Sequence, residues 1–337
     1  MLSRCVIAAL LWIACAHGTN AQDVVGVPRW TADGNFYELW NRQRSLIARP
    51  GSGYTSDLTA AEAAVFGKAV ADVAFRRNLA AAQSALASLG VRLYTFYDGT
   101  YGEWYFLIRE LRKPGEAGFR GFGTYMVHRQ PQLNVAGFAP HEPFDLNTSE
   151  QVRRFAQRHK ARIVGINGLH RCASSALSGC DGSTRACSSK GGPYRKSDFA
   201  HNPSNPFVAV VKALDDEIDL VVDFHGKATT TDAPYDVIVS DGTLNVAAAS
   251  TLSNRISTAI RAAGTFNPAS CNEGLPVAMC GETNVYGRIL NGQTAHACTV
   301  QPAVATGKFI HIEQNGYIRS SKTLTFTLLD TVVGLLH

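Results

Sequence analysis

The sequence lacks the short motifs that mark several common classes of enzyme. It contains no Gly-x-Ser-x-Gly, so a serine nucleophile of the α/β-hydrolase type has no support. Neither Gly-x-Gly-x-x-Gly nor the P-loop pattern occurs, which argues against dinucleotide and nucleoside-triphosphate sites. The Arg-His-Gly order of the phosphohistidine phosphatases is missing too. The chemistry must therefore come from other residue types.

Charge of one sign is also scarce. The 337 residues carry a formal net charge of +5, only 18% of them are charged, and no long basic run occurs. We therefore expect no nucleic-acid partner. The apolar run near the N-terminus, CVIAALLWIACA, is too short to span a bilayer as a stable anchor.

That apolar run has the features of an export signal. Arg4 precedes it and a small-residue stretch ends at Ala21, so residues 1–21 are predicted to be a cleaved signal peptide. A lipoprotein signal would use Cys15, but Trp12 stands where such signals usually have a small aliphatic residue. We expect an exported protein, periplasmic or secreted, without a stable membrane anchor after cleavage.

Export to an oxidising compartment would favour disulfide bonds between the cysteines. Two of the eight lie in the predicted signal, which leaves six, at positions 172, 180, 187, 271, 280 and 298. In an oxidising compartment this even number predicts three disulfides, and the pairing is left open. At least one should join the Cys172–Cys187 loop to itself or to the Cys271–Cys298 segment. No Cys-x-x-Cys pair exists, so a zinc ribbon is disfavoured. Oxidation of the six cysteines would also leave no free thiolate, which disfavours a cysteine nucleophile.

The rest of the chain divides into two patterns. Residues 22–130 are predicted to be an N-terminal extension with a helical part and three β-rich runs. Residues 131–337 alternate apolar strands with helices, which indicates an α/β core with a mostly parallel (mixed) sheet and helices on both faces. The runs NVAGFAPH, ARIVGIN, IDLVVDFH and KFIHIEQ are predicted strands of one sheet. Their carboxyl ends should share one edge, where sites of such sheets lie.

Histidine and acidic residues stand at three of these strand ends. His141 is followed four residues later by Asp145, His225 ends an aliphatic run, and Glu313 lies within or at the end of a strand. A zinc hydrolase needs three His, Asp or Glu ligands, an open position, and a nearby carboxylate as general base. We predict one Zn²⁺ ion bound by His141, Asp145 and His225, with Glu313 as the base. Gly226 would keep the backbone clear of the metal.

Further polar residues are predicted to lie near the metal and to contact the substrate. Arg171 is predicted to be catalytic, stabilising an oxyanion or holding a substrate carboxylate, with a surface salt bridge as the alternative. His201 and Asn202 precede a helix and are predicted to bind substrate, although Asn202 could be only a helix cap. Asn284 and Arg288 are predicted to bind substrate from a Gly-flanked loop, which could equally be a turn.

Some assignments stay open at this point. Glu142 is the rival of Asp145 for the second ligand position, and Asp223 could orient a ligand histidine. The residues left without a role are His170, Asp198 and His311.

The motifs PHEPFD, VDFHG and HIEQ resemble those of the zinc carboxypeptidase superfamily, in order and in strand context. The resemblance is to its N-formylglutamate amidohydrolase and poly-γ-glutamate hydrolase branches, and it covers residues 134–319. It implies a zinc-carboxypeptidase-like fold, the ligands His141, Asp145 and His225, and Glu313 as the base. The carboxypeptidases proper use His-x-x-Glu, whereas position 144 here is phenylalanine. The spacing to Asp145 instead resembles the amidohydrolase-like branches.

The expected function is that of an exported zinc-dependent hydrolase of an amide bond. The substrate would be a small peptide, a γ-glutamyl chain or an N-acylated amino acid. The alternative is a catalytically silent exported protein that binds peptide or carbohydrate on the same scaffold. Metal content and the position of Glu313 discriminate between the two.

Overall fold

The computed structural model describes residue 24 and residues 26–336, so the predicted signal peptide, residues 1–21, lies outside the described residues. The α-helices are α1 (Phe36–Arg44), α2 (Ala60–Ala74), α3 (Leu79–Ser88), α4 (Thr148–His159), α5 (Pro206–Leu214), α6 (Leu252–Ala263), α7 (Val285–Leu290), α8 (Gly316–Ser320) and α9 (Lys322–Val333). The strands are β1 (Val91–Asp98), β2 (Glu103–Glu110), β3 (Thr124–His128), β4 (Leu133–Ala139), β5 (Ala161–Ile166), β6 (Leu220–Lys227), β7 (Val237–Ser240), β8 (Pro268–Ser270) and β9 (Phe309–Asn315). Within the described range, no helix is long and apolar enough to cross a membrane.

Two helices begin directly after polar residues whose side chains cap them. Thr59 precedes α2 and forms a capping box with Glu62, whose carboxylate accepts from the Thr59 backbone N–H. Asn205 caps α5 by accepting from the Val208 backbone N–H. Pro206 follows in the first turn, where its missing N–H would have no helical partner. These contacts explain why the two helices begin where they do.

The strands form one nine-stranded sheet in the order β1-β2-β3-β5-β4-β6-β9-β7-β8. The central strands β5, β4, β6 and β9 are parallel to one another. An antiparallel meander of β1, β2 and β3 extends one side, and β7 pairs antiparallel with β9 on the other. The predicted α/β class with a mixed sheet is therefore confirmed. The four predicted strands share this sheet, and their carboxyl ends share one edge.

The N-terminal segment is continuous with this sheet. Residues 22–130 supply α1 to α3 and β1 to β3, the helical and β-rich elements expected there. Strand β3 pairs with β5 from the second segment. The division of the chain at residue 130 stays a prediction.

Helices cover both faces of the sheet. On one face, α2, α5 and α7 bury residues such as Phe66, Phe207 and Val285. On the other face, α4, α6 and α9 bury Phe155 and Leu328 with their neighbours. The core therefore lies in two apolar layers, one on each side of the sheet.

Strand β6 needs an apolar run because it is buried on both faces. Val221 belongs to the first core layer, whereas Leu220 and Val222 belong to the second. Side chains alternate along a strand, so Asp223 and His225 follow Val221 onto the face covered by α5 and α7. The strand thus carries its polar residues to one side of the carboxyl edge.

Two details of the β6 prediction were wrong. The strand does not end at His225, because its pairing with β9 continues to Lys227. Gly226 does not serve to clear space for a metal. A Cβ atom at Gly226 would overlap the guanidinium of Arg319, which packs on the opposite face from His225. The glycine therefore makes room for Arg319.

The three predicted disulfides are present. One closes the Cys172–Cys187 loop, and a second joins this loop to the later segment through Cys180 and Cys298. The third, Cys271–Cys280, lies within the later segment. Both forms of the predicted linkage therefore occur.

Candidate metal centre

The predicted ligands and base meet at the carboxyl edge of the sheet. His141 and Asp145 lie between β4 and α4, in a turn where the Asp145 backbone N–H donates to the His141 carbonyl oxygen. His225 on β6 and Glu313 on β9 are register partners in neighbouring parallel strands. All four side chains are buried. The fold therefore brings together three separate parts of the chain.

Two of the predicted ligands, both histidines, converge on a carboxylate oxygen of the third. The Nδ1 atoms of His141 and His225 each lie 3.3 Å from the same oxygen, Oδ2 of Asp145. Ligands that bind an ion tetrahedrally at about 2.0–2.1 Å are separated by ~3.3–3.4 Å, so these spacings suit an ion of the size of zinc. The three ligand atoms lie within 4.8 Å of one another.

The far nitrogen of each ring contacts a second carboxylate. His141 Nε2 lies 2.9 Å from Asp198 Oδ1, and His225 Nε2 lies 2.7 Å from Asp223 Oδ2. Because a carboxylate accepts there, Nε2 carries the proton in the neutral ring and Nδ1 presents a lone pair to Asp145. Three acceptors that face one another repel unless a cation or a proton lies between them. The donor set therefore fits a bound cation.

The surroundings shift the pKa values of two of the predicted ligands. Burial alone would raise the pKa of Asp145, but hydrogen bonds from His141 and His225 outweigh it and hold the pKa far below its usual range. Burial opposes charge on His225, yet the charge of Asp223 and hydrogen bonds to Asp145 and Asp223 raise its pKa well above the ordinary value. The centre therefore stabilises positive charge.

Asp223 is held in place from the start of α7. It accepts hydrogen bonds from Asn284 Nδ2 at 2.7 Å and from Tyr286 Oη at 2.6 Å. Asn284 also caps α7 by accepting from the Gly287 backbone N–H, so the predicted Gly-flanked loop is a helix start. Asn284 thus supports a residue that orients His225, and its role in substrate binding stays a prediction.

Asp198 is held by Arg171 and His201. It accepts from Arg171 Nε and Nη2 at 3.0 and 2.7 Å, and it lies 2.8 Å from His201 Nδ1. The third guanidinium nitrogen, Arg171 Nη1, lies 3.2 Å from His141 Nδ1 and so faces the ligand cluster. His201 stacks on Tyr194 with 3.6 Å between ring centroids. Arg171 therefore lies at the centre, whereas a substrate contact of His201 stays a prediction.

Glu313 lies beside the ligands without joining them. Its Oε1 is 4.0 Å from His225 Nδ1 and 3.5 Å from His311 Nε2. Its Oε2 is buried and has no hydrogen-bond partner among residues 26–336. A buried acceptor without a partner costs about 1–3 kcal/mol, so a water molecule or a substrate group is expected to bind there. This position suits a general base.

The rival ligand, Glu142, is engaged elsewhere. Arg44 Nη2 lies 2.8 Å from its Oε1, and the Ser149 backbone N–H donates to its Oε2 at 3.1 Å. Its negative charge therefore lies at the N-terminus of α4, where the helix dipole favours it. Of the two candidates, only Asp145 lies with the histidines.

Two predicted substrate-binding residues have structural partners. The guanidinium of Arg288 is fully buried and donates to both carboxylate oxygens of Asp181. The side-chain amide of Asn202 donates to Asp57 and to the Lys196 carbonyl oxygen. These contacts occupy the donor groups of both side chains away from the metal centre. Substrate binding by Arg288 and Asn202 therefore stays a prediction.

Sequence patterns assigned no role to Asp198 and His311 and did not single out Tyr286. The structure places His311 between Asp223 Oδ2, at 3.6 Å, and Glu313 Oε1, at 3.5 Å. The two-residue spacing of His311 and Glu313 was a usable signal, because it puts both side chains on the same face of a strand. Tyr286 carried no such signal, since its contact with Asp223 arises only in the folded chain.

Comparison with known proteins finds distant structural similarity only. No protein-family model matches the chain, and no curated protein sequence matches it. The crystal structure of a "putative carboxypeptidase A" from Shewanella denitrificans OS-217 is 9% identical over 78% of this chain and 68% of that chain, with a TM-score of 0.34. A Zn-dependent exopeptidase from Parabacteroides distasonis ATCC 8503 is 13% identical over 92% of this chain and 99% of that chain, with a TM-score of 0.29. Similarities this weak assign neither a family nor a function.

Proposed function

We propose that this protein is a zinc-dependent hydrolase that cleaves an amide bond. The observation that carries the proposal is the convergence of two imidazole nitrogens on one carboxylate oxygen, each at 3.3 Å. His141, Asp145 and His225 would hold one ion, and Glu313 would remain outside its ligand set. Two histidines with one carboxylate form a ligand set typical of catalytic zinc, whereas magnesium and calcium prefer oxygen ligands.

The chain's own residues would divide the work of hydrolysis. A bound zinc ion supplies a Lewis acid that polarises a carbonyl group and lowers the pKa of water. Glu313 accepts a proton from the attacking water at Oε2 and returns it to the leaving amine. Arg171 Nη1 donates to the carbonyl oxygen as negative charge develops there, while Nε and Nη2 remain on Asp198.

The proposed substrates are a small peptide, a γ-glutamyl chain or an N-acylated amino acid, met outside the cytoplasm. We propose that the protein is exported to the periplasm or secreted, without a stable membrane anchor. Three disulfides support this location, because they persist in oxidising compartments. Nucleic acid is not a proposed partner.

The proposal is tested by removing the base while leaving the ligands in place. Glu313→Gln should retain zinc and lower kcat by ~10²–10⁴-fold on an amide substrate, because the side-chain amide cannot accept the proton. Turnover would be measured on a panel of N-acylated amino acids and dipeptides, and zinc would be measured in the same samples. The control is Glu116→Gln, an exposed position where the carboxylate accepts a local hydrogen bond from the Lys113 backbone N–H.

Two outcomes would contradict the proposal. Full activity of Glu313→Gln would remove Glu313 from the role of base. A zinc-loaded wild-type protein that hydrolyses no amide in the panel would favour the silent binding protein instead.

A further inference from the structure

The turn that carries the ligand Asp145 also presents an aromatic ring beside the metal centre. Phe144 directly precedes Asp145, and 44% of its surface is exposed. The His170 ring meets the Phe144 ring edge to face, with 5.8 Å between centroids. The guanidinium carbon of Arg171 lies 5.4 Å from the Phe144 centroid. These two contacts hold an exposed ring in a defined place next to a buried ligand.

His170 has a defined proton position. The backbone N–H of Cys172 donates to its Nδ1 at 3.0 Å. The backbone N–H of Ala173 donates to the His170 carbonyl oxygen at 2.7 Å, and the disulfide to Cys187 anchors this turn. Because Nδ1 accepts a hydrogen bond, the neutral ring carries its proton on Nε2. The Nε2–H group is therefore a donor.

The His170 ring is uncharged, and the one cation that contacts the Phe144 ring, Arg171, is already paired. Burial and the positive charges of Arg171 and His141 lower the pKa of His170 to about 4, so the ring is neutral near pH 7. The charge of Arg171 is paired with Asp198 at 2.7 Å. An acidic group placed against Phe144 and His170 would lose hydration, and the nearest cation, Arg171, is already paired with Asp198. An apolar group would lose unfavourable contact with water.

We propose that Phe144 and His170 form a subsite for an uncharged aromatic or apolar side chain of the substrate, next to the scissile amide. In this subsite the side chain packs on the Phe144 ring, and His170 Nε2–H donates to a substrate carbonyl oxygen. The inference rests on the proposed function, because it takes the adjoining metal centre as the place of cleavage. It favours amides of hydrophobic residues over γ-glutamyl chains.

The test compares two metal-binding probes on the zinc-loaded protein. N-acetyl-L-phenylalanine hydroxamate and N-acetyl-L-glutamic acid α-hydroxamate differ only in the side chain, and calorimetry measures their affinities. The wild type should bind the phenylalanine compound roughly 10-fold or more tightly than the glutamate compound. Phe144→Ala should lose this preference because its affinity for the phenylalanine compound falls, while its affinity for the glutamate compound stays unchanged. The control is Tyr101→Ala, an exposed aromatic residue in the β1–β2 turn at the opposite edge of the sheet.

A second measurement addresses His170. Nitrogen-15 NMR of the histidine rings should show His170 protonated at Nε2 and not at Nδ1. His170→Phe keeps an aromatic ring but removes the donor, and it should weaken both hydroxamates to a similar degree. A His170 ring protonated at Nδ1 would overturn the donor role.

The outcomes separate this subsite from the proposed function. If the wild type takes up zinc and binds the two compounds equally, or if Phe144→Ala keeps the preference, the subsite is wrong while the metal centre stands. If the protein takes up no zinc, both proposals are wrong.

Discussion

At the scale of single residues, the metal centre depends on contacts made behind the ligands. The His225 ring cannot rotate without breaking the 2.7 Å hydrogen bond from Nε2 to Asp223. Asp223 in turn is fixed by Asn284 and Tyr286. The direction of the His225 Nδ1 lone pair is therefore set by three residues that are not themselves predicted metal ligands.

Asp223→Asn should weaken zinc affinity by roughly 10–100-fold, because an amide cannot replace both acceptor oxygens of the carboxylate. Competition with a chelator of known affinity would measure the change. Asp219→Asn is the matched control, since Asp219 lies just before the same strand and its exposed carboxylate accepts from Asn134. Equal affinities of the wild type and Asp223→Asn would mean that Asp223 does not set the ring orientation.

The choice between Asp145 and Glu142 shows where residue-level prediction stops. Both acids belong to the motif PHEPFD, and only the spacing from His141, through the family resemblance, favours Asp145. The difference comes from Arg44, which is distant in sequence and pairs with Glu142. Such a partner is found only when the fold is known.

At the scale of secondary-structure elements, α1 supports the turn that carries two ligands. Trp40 Nε1 donates to the Ser149 carbonyl oxygen at 2.7 Å, at the start of α4. Arg44, at the end of α1, pairs with Glu142 in the turn between β4 and α4. The helix of the N-terminal segment therefore helps to position His141 and Asp145.

Arg44→Met should lower the free energy of unfolding by about 1–3 kcal/mol, because it leaves the buried Glu142 carboxylate short of a partner. Urea unfolding of the metal-free protein would measure the change. Arg42→Met in the same helix is the control. Arg42 is 51% exposed in its pair with Asp33, so its loss should cost less than about 1 kcal/mol. Equal effects of the two substitutions would contradict the supporting role of α1.

The central strands could be predicted because each is buried on both faces and therefore reads as an apolar run. The end of β6 could not be predicted, since it depends on pairing with β9 as far as Asn315. Helix α7 was missed because it spans only Val285–Leu290 and has a glycine near each end, at positions 281 and 292. Short elements that are stabilised by tertiary contacts leave little periodic signal.

At the scale of the whole molecule, one of the three disulfides joins loops that are distant in the sequence, whereas the other two close short segments. Cys180–Cys298 joins residues 118 positions apart, whereas Cys271–Cys280 joins residues 9 positions apart. The number of bridges follows from the predicted export and the count of cysteines. The pairing could not be predicted, because it depends on how the sheet brings distant loops together.

Loss of the long-range bridge should cost more stability than loss of the short one. The chain-entropy relation gives about 5 kcal/mol for Cys180–Cys298 and about 2.6 kcal/mol for Cys271–Cys280. Urea unfolding of the two double Cys→Ala variants, with the remaining bridges oxidised, measures both values. A larger loss for the Cys271–Cys280 variant would contradict this order.

The central claim is that three residues from two parts of the chain bind one metal ion, and the zinc content of the purified mature protein tests it most directly. Elemental analysis should find one zinc ion per chain in the wild type and none in His225→Ala. His296→Ala, which replaces an exposed histidine, should keep the ion. A wild-type protein without a stoichiometric divalent metal, or a His225→Ala variant that retains a full equivalent, would contradict the account.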